Sequence, residues 1–331
     1  MIVLVVWNVY SVIDRGQIGT GEVVPVVIFK LPRSGSSWFT SELNAFSSIF
    51  ISKEIVQRND LKTFDTASIE RHLVNALSRP VGKLSNSKNI LPDARFIEDY
   101  IAPTHSWKWK PLKRMSLLGL TVNPEHIPDV NWTRIAEKIP RLKIVVLVRH
   151  NLVKTAVSDF TGRLLKSMCG SSNLRSHDVQ SSICQNIGSI SWNRTQLQQE
   201  VSAWHHRREA FLRTVSEVQQ SIDINSKVHI VTYENLQVDK ERTLMSLFKS
   251  LQMPPVREPF RDTGGEVWFK RGHENLERVL TNYNSLETDL DSGPLKCPCI
   301  LQQLRAGTPH AFHQIPTCLA KDMLGTCAFL E

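Results

Sequence analysis

No run of five or more like charges, no low-complexity tract and no internal repeat occurs in this sequence. The first absence excludes a dedicated nucleic-acid-binding arm, and no nucleic acid is expected as a partner. The second and third exclude a compositionally biased tail and a solenoid. There is no G-x-G-x-x-G after a predicted strand, since Gly19-Thr-Gly21 precedes one, which argues against a dinucleotide-binding dehydrogenase. No acidic cluster suited to magnesium follows a predicted strand, so no metal is expected. The opening apolar stretch, MIVLVVWNVYSVI, is too short to span a bilayer and has no positive residues before it. It reads either as the remnant of a signal anchor, with membrane anchoring through a longer N-terminus, or as a first buried strand.

What is there is an ordinary globular composition of 331 residues, enough for one large domain or two small ones. Lys and Arg number 40 against 32 Asp and Glu, a net charge of +8. That excess suits an anionic ligand or polymer, although solubility alone accounts for as much. Four of the six cysteines, Cys297, Cys299, Cys318 and Cys327, fall in the tail; the others are Cys169 and Cys184. A tail with a small core and paired cysteines reads as disulfide-stapled, hence a Golgi or secretory-pathway setting, with free thiols and a cytoplasmic location as the alternative. Sequons at Asn131 and Asn193 suggest a glycoprotein but arise easily by chance. A zinc site with His310 and His313 fits less well, because Cys297-Pro-Cys299 is tighter than usual ligand spacing.

Buried strands are predicted at 23–29, 116–121 (SLLGLT), 143–148 (KIVVLV) and 227–232 (KVHIVT). Helices follow from Ser36, with Phe39, Leu43 and Phe46 in register, from Val153 to Met168, over 196–218, and over 239–251. Residues 59–112, with four prolines, read as an insertion over one sheet edge, and 171–192 as a loop. Alternating strands and helices predict an α/β fold: three layers, α/β/α, around a central mainly parallel sheet with a phosphate-binding loop. The expected organisation is an N-terminal segment (1–20), one domain (21–290) and a cysteine-containing tail (291–331).

In open α/β sheets ligands sit beyond the carboxyl ends of the strands. After the first strand comes Lys30-Leu-Pro-Arg33-Ser34-Gly35-Ser36-Ser37-Trp38. A tight glycine turn into a helix start offers backbone N–H groups and the positive helix end to an anion. Ser36 and Ser37 add hydroxyls, Arg33 adds a planar charged fork, and Trp38 is placed to stack on a base. After KIVVLV comes Arg149, then Asn151, Lys154 and Ser158 on a helix, able to grip a second phosphate. After KVHIVT comes Tyr233-Glu-Asn-Leu, with Tyr233 near a purine. Each motif alone has a plain structural explanation: a capped turn, a solvated helix face, a strand-ending tyrosine.

Together these residues resemble the sulfotransferase family, which uses 3'-phosphoadenosine 5'-phosphosulfate (PAPS). PRSGSSW resembles its 5'-phosphosulfate loop, and VVLVRHNLVKTAVS its 3'-phosphate motif, with Arg149 and Ser158 in the paired positions. YENL resembles its Tyr-Glu-Asp/Asn-Leu box, and WFKRGHENLERVLTNYNSLE its C-terminal segment, where Lys270, Arg271 and Gly272 form a basic loop. The resemblance spans residues 23–290. Cytosolic aryl members have Lys in place of Arg33 and a catalytic His-Leu-Pro box that is absent here. The Arg-Ser-Gly-Ser-Ser form and the nine-residue step from Arg149 to Ser158 are more similar to the carbohydrate, trehalose and nodulation-factor branch.

The resemblance implies in-line attack of an acceptor hydroxyl, of carbohydrate type, on the sulfur of PAPS, releasing adenosine 3',5'-bisphosphate. The loop amides and Arg33 would stabilise the leaving phosphate electrostatically. The general base is expected to be Glu54, in FISKEIV, with His126, in NPEHI, as the competitor. A P-loop kinase or nucleotide triphosphatase is the alternative enzyme, but it needs a Lys where this loop has Ser36. A non-catalytic nucleotide- or glycan-binding relative is the alternative from another class.

Overall fold

The computed structural model describes residues 23–46, 48–52, 65–78, 116–139, 141–169, 190–222, 228–253, 276–292 and 298–305. Five strands, β1 (Val24–Lys30), β2 (Ile49–Ser52), β3 (Leu117–Val122), β4 (Lys143–Val148) and β5 (Val228–Thr232), form one sheet in the order β2-β3-β1-β4-β5. Every pairing is parallel. The expected α/β fold is therefore present, and the sheet is parallel throughout these strands. β1 and β3 are β-branched and leucine-rich runs buried almost end to end, as strands covered on both faces must be. At Gly119 β3 comes so close to β1 that a Cβ would sit 2.6 Å from the Val26 carbonyl oxygen.

Alternation along the strands sorts side chains into two layers. Val27, Phe29, Leu120, Val122, Ile144 and Val146 face α2 (Thr66–Ser78), α3 (Trp132–Lys138) and the second half of α5 (Arg194–Ser221). Val26, Ile28, Val145, Leu147 and Val231 face α1 (Ser36–Asn44), α6 (Tyr233–Val238) and α7 (Lys240–Ser250). Residues 66–78, inside the 59–112 segment, thus contribute Ile69, Leu73 and Leu77 to the core. The four-residue β2, at the sheet's edge, is held by Asn44: its side chain donates to the Ile51 carbonyl at 2.8 Å and accepts from the Ile51 amide at 2.7 Å.

A third apolar cluster is wholly helical. It joins α4 (Leu152–Cys169), the first half of α5, α8 (Leu276–Val279), α9 (Tyr283–Ser292) and α10 (Pro298–Arg305). Cys299 lies within it, 4% exposed. Burial pushes the Tyr283 hydroxyl in this cluster up to about 12. Both sequon asparagines start helices. Asn131 accepts from the Arg134 amide at 3.1 Å, and Asn193 forms a reciprocal capping box with Gln196. Among the described residues no helix is long and apolar enough to cross a membrane.

Register aligns the strand ends. Lys30 lies opposite Leu147, and Val148 opposite Thr232, so the segments following β1, β4 and β5 emerge side by side. That edge is where the candidate site forms.

Candidate functional site

The turn after β1 is wound tightly on itself. Ser34 is 2% exposed; its hydroxyl donates to the Leu31 carbonyl at 2.7 Å, and its amide to the same oxygen at 3.3 Å. Its hydroxyl therefore shapes the loop rather than facing a ligand. Arg33 and Gly35 are both left-handed, with φ of 64° and 84°. For a non-glycine residue that conformation costs about 1–2 kcal/mol, the kind of local strain that clusters at binding loops. Gly35 is the N-cap of α1 and offers no side-chain cap, so the first-turn amides depend on what lies before them. Ser37 is exposed and Ser36 half-buried at this helix start.

Gly35 also lies against Tyr233. A Cβ at Gly35 would fall 2.3 and 2.4 Å from two ring carbons of Tyr233, which opens α6 directly after β5. Trp38 meets the same ring edge-on, with centroids 5.6 Å apart. Its indole N–H donates to Glu42 at 2.9 Å, and Glu42 pairs with Lys240 at 2.8 Å. Arg149, directly after β4, lies over the Tyr233 ring at 4.4 Å and donates from Nη1 to the Arg33 carbonyl at 3.3 Å. The predicted residues Gly35, Trp38, Arg149 and Tyr233, from three strand ends, thus meet in one cluster. The Nε of Arg149 is buried and has no hydrogen-bond partner among the described residues.

The start of α4 is built differently from a solvated face. The buried Glu234 carboxylate accepts from the amides of His150 (3.0 and 3.1 Å) and Asn151 (3.0 Å). Gln303, on α10, accepts from the Leu152 amide at 2.7 Å, and Asn151 Oδ1 accepts from the Lys154 amide at 2.9 Å. Asn151 and Lys154 are 2% and 5% exposed. Ser158 is half-buried on the α4 face that also carries Thr155 and Gly162, three and four residues away. Arg33 lies across this face. Its Nε is 3.5 Å from Asp159, and a Cβ at Gly162 would fall 1.7 Å from its Nη2.

His126 closes a single helical turn, Pro124–His126, after β3. Asn123 Oδ1 accepts from the Glu125 amide at 3.3 Å, which turns its Nδ2 toward His126 Nε2 at 3.1 Å. With Nε2 accepting, the ring proton is assigned to Nδ1, and the lone pair a base needs on Nε2 is taken. The neighbouring Glu125 holds Arg207 through both oxygens, with Nε at 2.6 and 2.8 Å. Glu54, Lys270, Arg271 and Gly272 lie outside the described residues, as do His310 and His313. Among the described residues no three His, Cys, Asp or Glu side chains gather as metal ligands.

Three contributors were not singled out from the sequence: Glu234 and Gln303, which fill the amides of α4, and Arg208. Arg208, on α5, lines a small crevice together with Leu31, Ser34, Arg149, Thr155 and Trp204. Its sequence signal is slight, a Trp204-to-Arg208 step of one helical turn inside the charged run WHHRRE.

No family model matches this chain, and no curated protein matches it significantly. Solved structures similar to it include the sulfotransferase domain from the curacin biosynthetic pathway, at 16% identity over 75% of this chain and 82% of that one, TM-score 0.38. The sulfotransferase domain of the Synechococcus PCC 7002 olefin synthase is 16% identical over 76% and 84% of the two chains, TM-score 0.33. Sulfotransferase STF9 from Mycobacterium avium is 10% identical over 75% and 67%, TM-score 0.32. At such identities and scores these likenesses carry no argument about chemistry, which rests on the side chains.

Proposed function

We propose that the chain is a sulfotransferase that uses PAPS as donor and a hydroxyl, of a sugar or glycoconjugate, as acceptor. One observation carries the reading: the loop at 31–38, Arg149 and Tyr233 come from three separate strands and are in mutual contact. An uncapped helix start, left-handed turn residues and an arginine with an unpartnered buried Nε fit a ligand with two anionic groups.

In this reading the amides at the start of α1 and the hydroxyls of Ser36 and Ser37 bind the 5' end of the donor. Arg149, with Ser158, binds the 3'-phosphate. When bound, the donor supplies the electrophilic sulfur. Arg33, which rests against Asp159, turns from α4 toward the leaving phosphate and stabilises it as a fixed charge, since a guanidinium holds its proton. Trp38 and Tyr233 offer the aromatic surface for the adenine. Glu54 takes the acceptor proton, because His126 first has to give up Asn123. Lys270, Arg271 and Gly272 complete the donor-binding residues of this reading. A secretory-lumen setting belongs to the same proposal, resting on the four cysteines of the tail.

The test is thermal denaturation with adenosine 3',5'-bisphosphate, beside ADP and ATP with magnesium, followed by transfer from radiolabelled PAPS to a panel of glycans. A ligand that binds the folded state raises Tm by mass action. Stabilisation by the bisphosphate, absent in Arg149→Ala, is the expected result. Stabilisation by ATP alone points instead to a phosphotransferase, and bisphosphate binding without transfer to a non-catalytic relative.

A further inference from the structure

The proposed donor site draws on the ends of β1, β4 and β5 and leaves the end of β3 to the acceptor. β3 flanks β1 on the side away from β4, with Val122 opposite Phe29, so the turn that follows it opens beside the β1 loop. α5 spans the two. Trp204 and Arg208 line the small crevice with Leu31, Pro32 and Ser34, and Arg207, on the same helical turn, pairs with Glu125 of the β3 turn. The Glu125 amide donates to Asn123, which is 1% exposed and also meets His126. Both Glu125 oxygens accept from the Arg207 Nε, at 2.6 and 2.8 Å, and one also from its Nη2. The guanidinium carbon lies 4.8 Å from the Trp204 ring centroid, so an aromatic face backs the charge. Yet the two side chains stay 37% and 25% exposed, and so open a pair adds little to stability. Among the described residues Arg207 Nη1 makes no hydrogen bond, and the carboxylate keeps lone pairs to spare. The pair therefore presents donors and acceptors side by side, fixed in place and with no net charge.

We propose that the Glu125–Arg207 pair recognises the acceptor: it holds two neighbouring hydroxyls of an uncharged sugar and turns away acceptors that bring a carboxylate or sulfate ester to that place. This rests on the sulfotransferase reading and narrows its acceptor class. A hydroxyl both donates and accepts, so one of two adjacent hydroxyls accepts from Arg207 Nη1 while the other donates to Glu125. An anionic substituent can only accept. It gains the guanidinium but meets the Glu125 charge beside it, and like charges set side by side discriminate against the wrong partner. Arg207 and Glu125 are thus specificity-determining residues. The first supplies affinity for the sugar, and the second supplies rejection of its charged counterpart.

Transfer from radiolabelled PAPS by the full chain tests this on matched acceptors: neutral oligosaccharides of glucose, galactose and mannose, and the same chains carrying a uronate or a sulfate ester. Calorimetry with adenosine 3',5'-bisphosphate runs beside it and reads the donor site alone. The wild type is expected to sulfate neutral members with a kcat/KM at least about 10-fold above that for their charged counterparts. Arg207→Gln should raise KM for neutral acceptors about 10- to 100-fold, the loss of a hydrogen bond to a charged group, with bisphosphate affinity unaltered. Arg207→Lys should recover part of that loss. Glu125→Gln removes the negative charge but keeps an acceptor oxygen, so the ratio of charged to neutral turnover should rise about 10-fold. A pair that only braces α5 against the β3 turn would lower turnover on both classes alike and leave their ratio where it was. That result overturns the proposal, as does a wild type that sulfates charged acceptors as readily as neutral ones, or that binds the bisphosphate and sulfates no neutral member. Should Arg207→Gln fail to fold, Glu125→Gln carries the test through the ratio. A wild type that does not bind the bisphosphate overturns the donor reading itself, and the acceptor role falls with it.

Discussion

Replacing Gly35 by alanine places one methyl group where the structure has no room for it. The residue has φ +84°, and its Cβ would lie 2.3 and 2.4 Å from the Tyr233 ring. Alanine in the left-handed region costs about 1–2 kcal/mol by itself. The clash adds to this, because Tyr233 is 4% exposed and fixed between Trp38 and Arg149. Moving the ring gives up an edge-on aromatic contact and a cation–π contact, about 0.5–1.5 kcal/mol each. The expected destabilisation is about 3 kcal/mol, read by equilibrium urea unfolding of wild type and variant. The two contributions separate in a Tyr233→Ala background, where the clash is gone and Gly35→Ala should cost only about 1–2 kcal/mol. The same cost in both backgrounds, or less than about 1 kcal/mol in the wild type, would refute the packing argument.

Asp159→Asn frees Arg33 from its resting partner, and a long, partly exposed pair of this kind contributes about 0–1 kcal/mol. Titration with adenosine 3',5'-bisphosphate should show affinity rising by up to about fivefold, whereas a fall would count against the movement assigned to Arg33. Gln303→Leu leaves the buried Leu152 amide without its acceptor and should lower stability by about 1–3 kcal/mol in urea. His205 is 4% exposed, and burial first, then Arg208 and His206, lower its pKa below 6.5 against the pull of Glu209. The unfolded chain therefore takes up the proton more readily than the folded one, and stability present above pH 6.5 is lost as pH falls below it. Melting curves between pH 7 and 5 should fall more steeply for wild type than for His205→Gln, and parallel curves would exclude the contribution.

The strands that carry the site were legible because they are buried on both faces. Unbroken β-branched runs such as KIVVLV have few other readings, and the strand seen is Lys143–Val148. β2 was not legible, because IFIS is four residues long and depends on the Asn44 side chain. The loop glycine and Arg149 could be placed at one edge from strand order alone. The direction of a guanidinium could not: Arg33 lies on α4, and of two adjacent arginines on α5, Arg207 pairs with Glu125 while Arg208 is one of the residues lining the crevice. Nor could spacing reveal that Asn151 and Lys154 are buried, since that depends on Glu234 and Gln303, roughly 80 and 150 residues away in sequence.

Two helix starts lie at the sheet edge that carries the candidate site, and only one is open. α1 begins at a glycine with no side chain to cap it, whereas α4 begins with its amides already held by a carboxylate, a glutamine and an asparagine. Backbone dipole is on offer at one end and side-chain charge alone at the other. A ligand bearing two unlike anionic groups therefore has a preferred way round. In the proposed function its leaving end would belong on main-chain amides, which need no counterion to be displaced, and its compact dianion on Arg149, whose hold would weaken with added salt.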